Sequence, residues 1–250
     1  MKAVILAAGR GTRMKQLTRD APKPMLPVRG KPILEWILEG LLDAGIREFF
    51  IVTKYRAEVV REHFGDGGRW DARIAYGTQG DLPGTAKAVE PAREFVGTEP
   101  FLLSYGDILA RPAPYASMVE RFSQGRFGGL ITVTRGEEIA KGGLVLFNDN
   151  FLMSDLLEKP SPEEVAALQR QGRLRKEGPF WYNAGIYIFD PALFDYIADV
   201  RPSPRGEYEL TDAIRAMAAG GLPIAGLEIP GRWADVRDPE VLARLEQDEI

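Results

Sequence analysis

A chain of 250 residues, 45% of them apolar, is long enough for one large domain or two small ones around an ordinary globular core. Zero cysteine excludes disulfides and thiolate metal sites and fits a reducing cytoplasm, while a single histidine, His63, excludes zinc centres built on several imidazoles. A net charge of −4 argues against nucleic-acid binding by bulk electrostatics, and no run approaches the ~18 apolar residues that cross a bilayer.

The N-terminus enters a strand at once, without the charged start, apolar stretch and cleavage site of a signal peptide. Residues 1–8 are an apolar run of strand length that gives way at Gly9 to a bare, cationic loop. Arg10, Arg13, Lys15, Arg19 and Lys23 follow, opposed only by Asp20. Ala7, Ala8, Gly9 and Gly11 leave room for a ligand against the main chain, whose N–H groups can bond phosphate oxygens. Such a loop suits a nucleoside triphosphate. It is not a dinucleotide fingerprint, because Met14 stands at the third glycine and Lys54, not an acid, follows the second strand. Nor is it a P-loop, since Thr12-Arg13 does not supply the closing Gly-Lys-Ser/Thr. On the glycines alone, a strand-to-helix turn with solvated arginines is the alternative.

Apolar residues at three-and-four spacing predict a helix over 31–45, begun by Pro32 and stopped at Gly45. A strand over 48–53, a helix over 57–64, a turn at Asp66-Gly67-Gly68 and a strand over 72–76 follow. His63 falls at the end of that helix, where a surface role is expected. Strand, helix, strand, helix, strand begins a doubly wound sheet. The loop 79–88 carries Gln79, whose amide offers donor and acceptor to a base edge, and Gly84, which lets a flat ring approach; a polar loop with an ordinary helix start is the alternative. The strand over 101–105 ends in Gly106-Asp107, at the carboxyl edge where open α/β sheets place ligands, although a lone Asp there also serves as a cap. A helix over 115–124 and a strand over 129–134 come next. From Lys141 the texture changes: strands over 143–147 and 151–157 flank Asn148-Asp149-Asn150, a hairpin signal. Residues 162–178 read as a short helix on a surface excursion, and 181–189 as an apolar strand in which Asn183 must find a polar partner. A helix over 207–219, whose acidic first turn explains Glu207–Asp212, a strand over 224–229 and a closing helix over 239–247 complete the chain.

Residues 1–27 resemble the signature of the sugar-1-phosphate nucleotidyltransferases (sugar-nucleotide pyrophosphorylases): an L-A-x-G-x-G-T-R loop at Leu6, Ala7, Gly9, Gly11, Thr12 and Arg13, then Lys23-Pro24. The likeness runs the length of the chain and is closest to the single-domain thymidylyl-, uridylyl- and guanylyltransferases. It implies an α/β fold with a doubly wound, mostly parallel, Rossmann-like sheet and a small sugar-side β insertion. It further implies one domain over 1–250, with 1–140 mainly holding nucleotide, 141–237 mainly sugar phosphate, and 238–250 a closing helix. By resemblance, Leu6–Gly9, Gly11–Arg13, Lys23, Gln79, Gly84 and Thr85 bind nucleotide. Gly143, the E-K-P residues Glu158 and Lys159, and Asn183 of Asn-Ala-Gly-Ile-Tyr bind sugar phosphate. Asp107 and Asp235, the latter in Trp233-Ala234-Asp235, hold Mg²⁺; Arg13, Lys23 and Asp107 are the catalytic set.

The expected reaction is NTP plus sugar-1-phosphate giving a nucleoside-diphosphate sugar and pyrophosphate, with UTP or dTTP as donor. GTP, CTP, or a polyol, choline or aminoalkyl phosphate acceptor are the nearest alternatives. A non-catalytic subunit that senses sugar nucleotides is an alternative of another class. A soluble cytoplasmic enzyme with small-molecule partners and neither nucleic acid nor membrane is expected; its oligomeric state is open, a homo-oligomer included. No hexapeptide repeats follow 247, so no second acyltransferase activity is expected.

Overall fold

In the computed structural model, which describes residues 1–247, the first strand already dictates a three-layer arrangement. β1 (Lys2–Leu6) sends Ala3 and Ile5 into one core and Val4 into the other. A strand buried on both faces needs helices on both sides, as parallel sheets have. Two 3-10 segments, Thr12–Thr18 and Lys23–Met25, lead from it to a minimal antiparallel pair, β2 (Pro27–Val28) and β3 (Lys31–Pro32). That pairing delays the first helix, so α1 runs over Ile33–Asp43 rather than from residue 31. α1 buries Ile33, Leu34, Ile37, Leu38 and Leu41. β4 (Glu48–Thr53), α2 (Ala57–Phe64), β5 (Arg73–Thr78), α3 (Thr85–Val89), α4 (Arg93–Val96) and β6 (Phe101–Tyr105) complete the parallel half, ordered β6-β1-β4-β5. The loops after β1, β4, β5 and β6 therefore gather at one carboxyl edge.

β7 (Ile108–Arg111), α5 (Tyr115–Ser123), β8 (Gly129–Thr134), β9 (Gly143–Phe147), β10 (Met153–Glu158), α6 (Pro162–Arg170) and β11 (Trp181–Phe189) form the second half with α7 (Leu193–Asp199), α8 (Leu210–Ala219), β12 (Ile224–Glu228), β13 (Arg232–Asp235) and α9 (Pro239–Gln247). β11 joins the halves: it runs antiparallel to β6 on one side and to β8 and β9 on the other, giving one nine-stranded sheet. The doubly wound sheet with an inserted β hairpin (β9 and β10) is thus the architecture expected. β7 and β13 stand off it as an antiparallel pair for which the local sequence carries no strand signal.

Three boundaries move for local reasons. Asn148 Oδ1 accepts the amides of Asn150 and Leu152 at 3.0 Å, tightening the hairpin so that β10 starts at Met153. A Ser161–Glu164 capping box starts α6, but the helix stops at Arg170. α8 starts at Leu210, leaving Glu207–Glu209 outside it. Of the expected closing segment 238–250, residues 248–250 lie outside the described residues. His63 is not a solvated end: Nε2 lies 2.6 Å from Glu35, and its ring packs on Phe64 and Trp70. No helix among the described residues is long and apolar enough to cross a membrane.

Asp155 of β10 is buried and gripped by Arg173 and Arg215, each at 2.7 Å. Both arginines are themselves half-exposed, so losing the carboxylate costs hydrogen bonds rather than stranding buried cations. Asp155→Ala is expected to lower unfolding free energy by about 1–3 kcal/mol, read from the urea midpoint.

Candidate active site

The glycine loop is shaped by what lies against it. Gly11 takes φ +68°, and a Cβ there would sit 2.8 Å from Lys23 Cβ. Only glycine suits both demands, and the result is that the Lys23 side chain packs directly on the loop. Gly106 is similarly constrained, since its missing Cβ would meet the Leu6 carbonyl at 2.7 Å. Asp107, which follows, is thereby held beside the end of β1. Lys23 Nζ and Asp107 form an ion pair. With Leu6, Ala8, Gly9, Gln79, Gly84, Thr85, Tyr105 and Glu207, these two residues line a cleft of about 260 Å³ at the carboxyl edge.

Asp235 is brought beside Asp107 by the β7–β13 pair, although it lines a separate cavity of about 240 Å³ with Trp233 and Arg237 rather than the cleft itself. Asp235 is in register with Ile108, and the Val236 amide donates to the Asp107 carbonyl at 2.9 Å. Burial, then the Asp107 charge, pushes the Asp235 carboxyl up to about 6, against the opposing pull of Lys23, Arg237 and Arg13. These five side chains therefore share one electrostatic neighbourhood. Two facing carboxylates, one of them desolvated, are the oxygen donor set that a hard divalent cation takes. Among the described residues no group of three or more acids and histidines forms such a site, so a cation here would have to complete its shell with ligand oxygens and water.

The base-side residues are placed by a neighbour distant in sequence. Gly84, at φ +107°, faces the Tyr208 main chain, which a Cβ would meet at 2.3 Å. Its lack of a side chain thus permits this approach of the chain to itself, while Gly84 also lines the cleft. The Ala86 amide donates to the Tyr208 carbonyl at 2.9 Å, and the Leu210 amide donates to Thr85 Oγ1 at 2.9 Å. Gln79 Nε2 donates to the carbonyls of Leu82 and Gly84, both at 3.2 Å, which leaves Oε1 as the uncommitted end of its amide. Gly84→Ala is expected to cost about 1–3 kcal/mol of stability, as an overpacked and strained backbone does, read as a lowered melting temperature.

Gly143, Glu158, Lys159 and Asn183 are not among the residues lining that cleft; a Cβ on Gly143 would lie 2.8 Å from Asn183 Cβ, so β9 and β11 meet closely there. Asn183 differs from expectation. Its Nδ2 donates to the Tyr187 hydroxyl at 2.8 Å and its Oδ1 accepts the Gly185 amide at 3.2 Å, within the irregular stretch of β11 where Gly185 is left-handed. The buried amide thus finds its partners inside the protein. Burial raises the Glu158 carboxyl, a push that Lys159 and Arg205 oppose from 3.9 and 3.8 Å and that Glu209 and Asp212 reinforce. Lys159 itself holds a left-handed φ of 46°, a strained conformation for a side-chain-bearing residue. Tyr105 and Glu207 line the cleft without having been singled out from sequence, and Arg205 and Glu209 lie near Glu158. For Glu207 and Glu209 the signal is the acid-rich Glu207–Asp212 segment, which an ordinary helix start accounts for equally well.

Comparisons with known proteins identify relatives over nearly the whole chain. Residues 2–249 match the family described as nucleotidyl transferase. Agl11 of Haloferax volcanii, a low-salt glycan biosynthesis nucleotidyltransferase, is 33% identical over 99% of this chain and 65% of its own length. AglF of the same organism, a UTP–glucose-1-phosphate uridylyltransferase, is 32% identical over 99% of this chain and 96% of its own. A Bacillus anthracis structure named as a glucose-1-phosphate thymidylyltransferase, solved with sucrose, superposes with a TM-score of 0.84 at 25% identity, covering 99% and 94% of the two chains. The chain spans about half to two thirds of the length of several other curated relatives that it matches. Match over nearly every residue, a shared fold and the glycine loop set against Lys23 lead to one statement: the chain belongs to the nucleotidyl transferase family.

Proposed function

We propose that this chain transfers a nucleotidyl group from a nucleoside triphosphate to a sugar-1-phosphate, releasing pyrophosphate. The observation that carries the reading is Lys23, packed on Gly11, paired with Asp107 and sharing one electrostatic neighbourhood with Asp235. The names of its relatives support UTP or dTTP as donor and a hexose 1-phosphate such as glucose-1-phosphate as acceptor.

The acceptor phosphate needs no general base, because a phosphomonoester's second pKa is about 6 and its oxygen is charged near neutrality. That oxygen attacks the α-phosphorus; a new P–O bond forms as the bond to the bridging oxygen breaks, and the electron pair leaves with pyrophosphate. Bringing two polyanions together is the difficulty, so positioning and fixed positive charge supply the rate. Main-chain groups of Gly9–Thr12, with Arg13, hold the β- and γ-phosphates. Lys23 contacts the α-phosphate, and Lys159 holds the attacking phosphate in line. Glu158 accepts sugar hydroxyls, and Gln79 Oε1 faces the base. Asp107 and Asp235 would hold Mg²⁺, which when bound neutralises phosphate charge as a Lewis acid.

Pyrophosphate release across UTP, dTTP, GTP and CTP with common sugar-1-phosphates, with and without Mg²⁺, tests the reading. Release with UTP or dTTP and a hexose 1-phosphate, dependent on Mg²⁺, is expected. No release with any pair would overturn the proposal.

A further inference from the structure

The corner that follows β4 holds two ligand-facing loops at once. The Thr53 carbonyl accepts the Gln79 amide at 3.0 Å, and Lys54 Nζ donates to the Gly80 carbonyl at 2.6 Å, fixing the base-side loop. Tyr55 fixes the other. Its hydroxyl lies 2.7 Å from the Arg19 carbonyl and 3.0 Å from that of Thr18, and its single proton is shared between them. Thr18 in turn donates from Oγ1 to the Gly11 carbonyl at 3.1 Å. The hydroxyl of Tyr55 is therefore connected through one residue to the turn that faces the cleft. This link crosses 36 residues of sequence, and it holds a segment that needs help, because Lys15 within it has φ 51°.

The ring of Tyr55 has a second contact with the same loop. The Arg10 guanidinium lies 5.2 Å from its centroid, and Arg56 lies 6.0 Å from it on α2's side of the corner. No carboxylate among the described residues pairs with Arg10. An unpaired cation held over an aromatic face, one residue from Gly9 and Gly11, is available to an incoming polyanion. We propose that Tyr55 is a positioning residue for the triphosphate: its hydroxyl sets the phosphate turn, and its ring presents Arg10 to the β- and γ-phosphates. The inference rests on the reading of Gly9–Arg13 as the triphosphate site and adds to it a residue from the corner after β4 and a second cation.

Tyr55→Phe, Tyr55→Leu and Arg10→Ala test it in steady-state kinetics that vary each substrate separately, with tripolyphosphate binding measured by calorimetry and the melting temperature recorded. Tyr55→Phe removes one hydrogen bond and should raise KM for the triphosphate about three- to tenfold, leaving KM for the sugar-1-phosphate within about twofold. Tyr55→Leu also removes the ring and should raise it about two- to fivefold more, a further loss that Arg10→Ala reproduces and that vanishes when Arg10 is already Ala. Tripolyphosphate affinity should fall by the same factors. Equal changes in both KM values, or a lowered melting temperature with the triphosphate KM and tripolyphosphate affinity unmoved, would overturn the proposal. If wild-type protein releases no pyrophosphate, nucleotidyl transfer fails; the tripolyphosphate titrations then decide the role of Tyr55 by themselves.

Discussion

Lys23→Ala is expected to lower the turnover of pyrophosphate release by at least ~100-fold, the scale for loss of one preorganised electrostatic group. The size follows from where Lys23 stands. Its side chain packs on Gly11, so its position is fixed before any ligand arrives, and no reorganisation is required when charge develops at the α-phosphorus. Its ammonium is also the cation paired with Asp107 and among those that oppose the rise of the Asp235 carboxyl. Removing it takes away the cation paired with Asp107 and leaves the Asp107 and Asp235 carboxylates with less opposing charge. Arginine is not an equivalent, since its planar fork differs in geometry from the point charge of a lysine ammonium. Turnover within tenfold of wild type would refute this role.

Asp107→Asn should lower turnover on the same scale, at least ~100-fold, for a different reason. The amide keeps the shape of the carboxylate, so the Val236–Asp107 main-chain bond and the β7–β13 pair should persist. What is lost is one of two charged oxygen ligands available to a divalent cation and the anion paired with Lys23. Mn²⁺ binding followed by electron paramagnetic resonance, in the absence of nucleotide, separates the two losses. Weakened Mn²⁺ binding together with lost turnover supports a metal at Asp107 and Asp235; lost turnover with Mn²⁺ binding unchanged assigns the effect to Lys23 alone.

Much of the frame is legible in the sequence because its signals are local and periodic. α2, β6, β8, β9 and β11 fall where apolar spacing places them, and the run of cations around Gly9 and Gly11 marks the position of the cleft. What escapes is decided by contacts between distant parts of the chain. β7 is only Ile108–Arg111, too short to show alternation, and becomes a strand because Arg232–Asp235 lies beside it. Gly84 lines the cleft as its freedom suggests, yet the need for glycine there is also set by the main chain of Tyr208, which occupies the space of a Cβ. Asn183 needs a partner because it is a polar group in an apolar strand, and Tyr187 and the Gly185 amide supply partners within the protein. In each case the residue's own chemistry states the need, while tertiary packing selects the partner that meets it.

The short β7–β13 pair also has a consequence for biosynthesis. Asp235 lies 128 positions beyond Asp107 (235 − 107), and among the described residues nothing nearer in sequence pairs with β7. During vectorial synthesis the glycine loop, the base-side loop and Asp107 emerge from the ribosome well before the strand that completes the acidic pair. A chain that lacks residues 232–235 therefore has Asp107 without the carboxylate that the fold sets beside it, and the acidic pair is complete only once the last strand has docked.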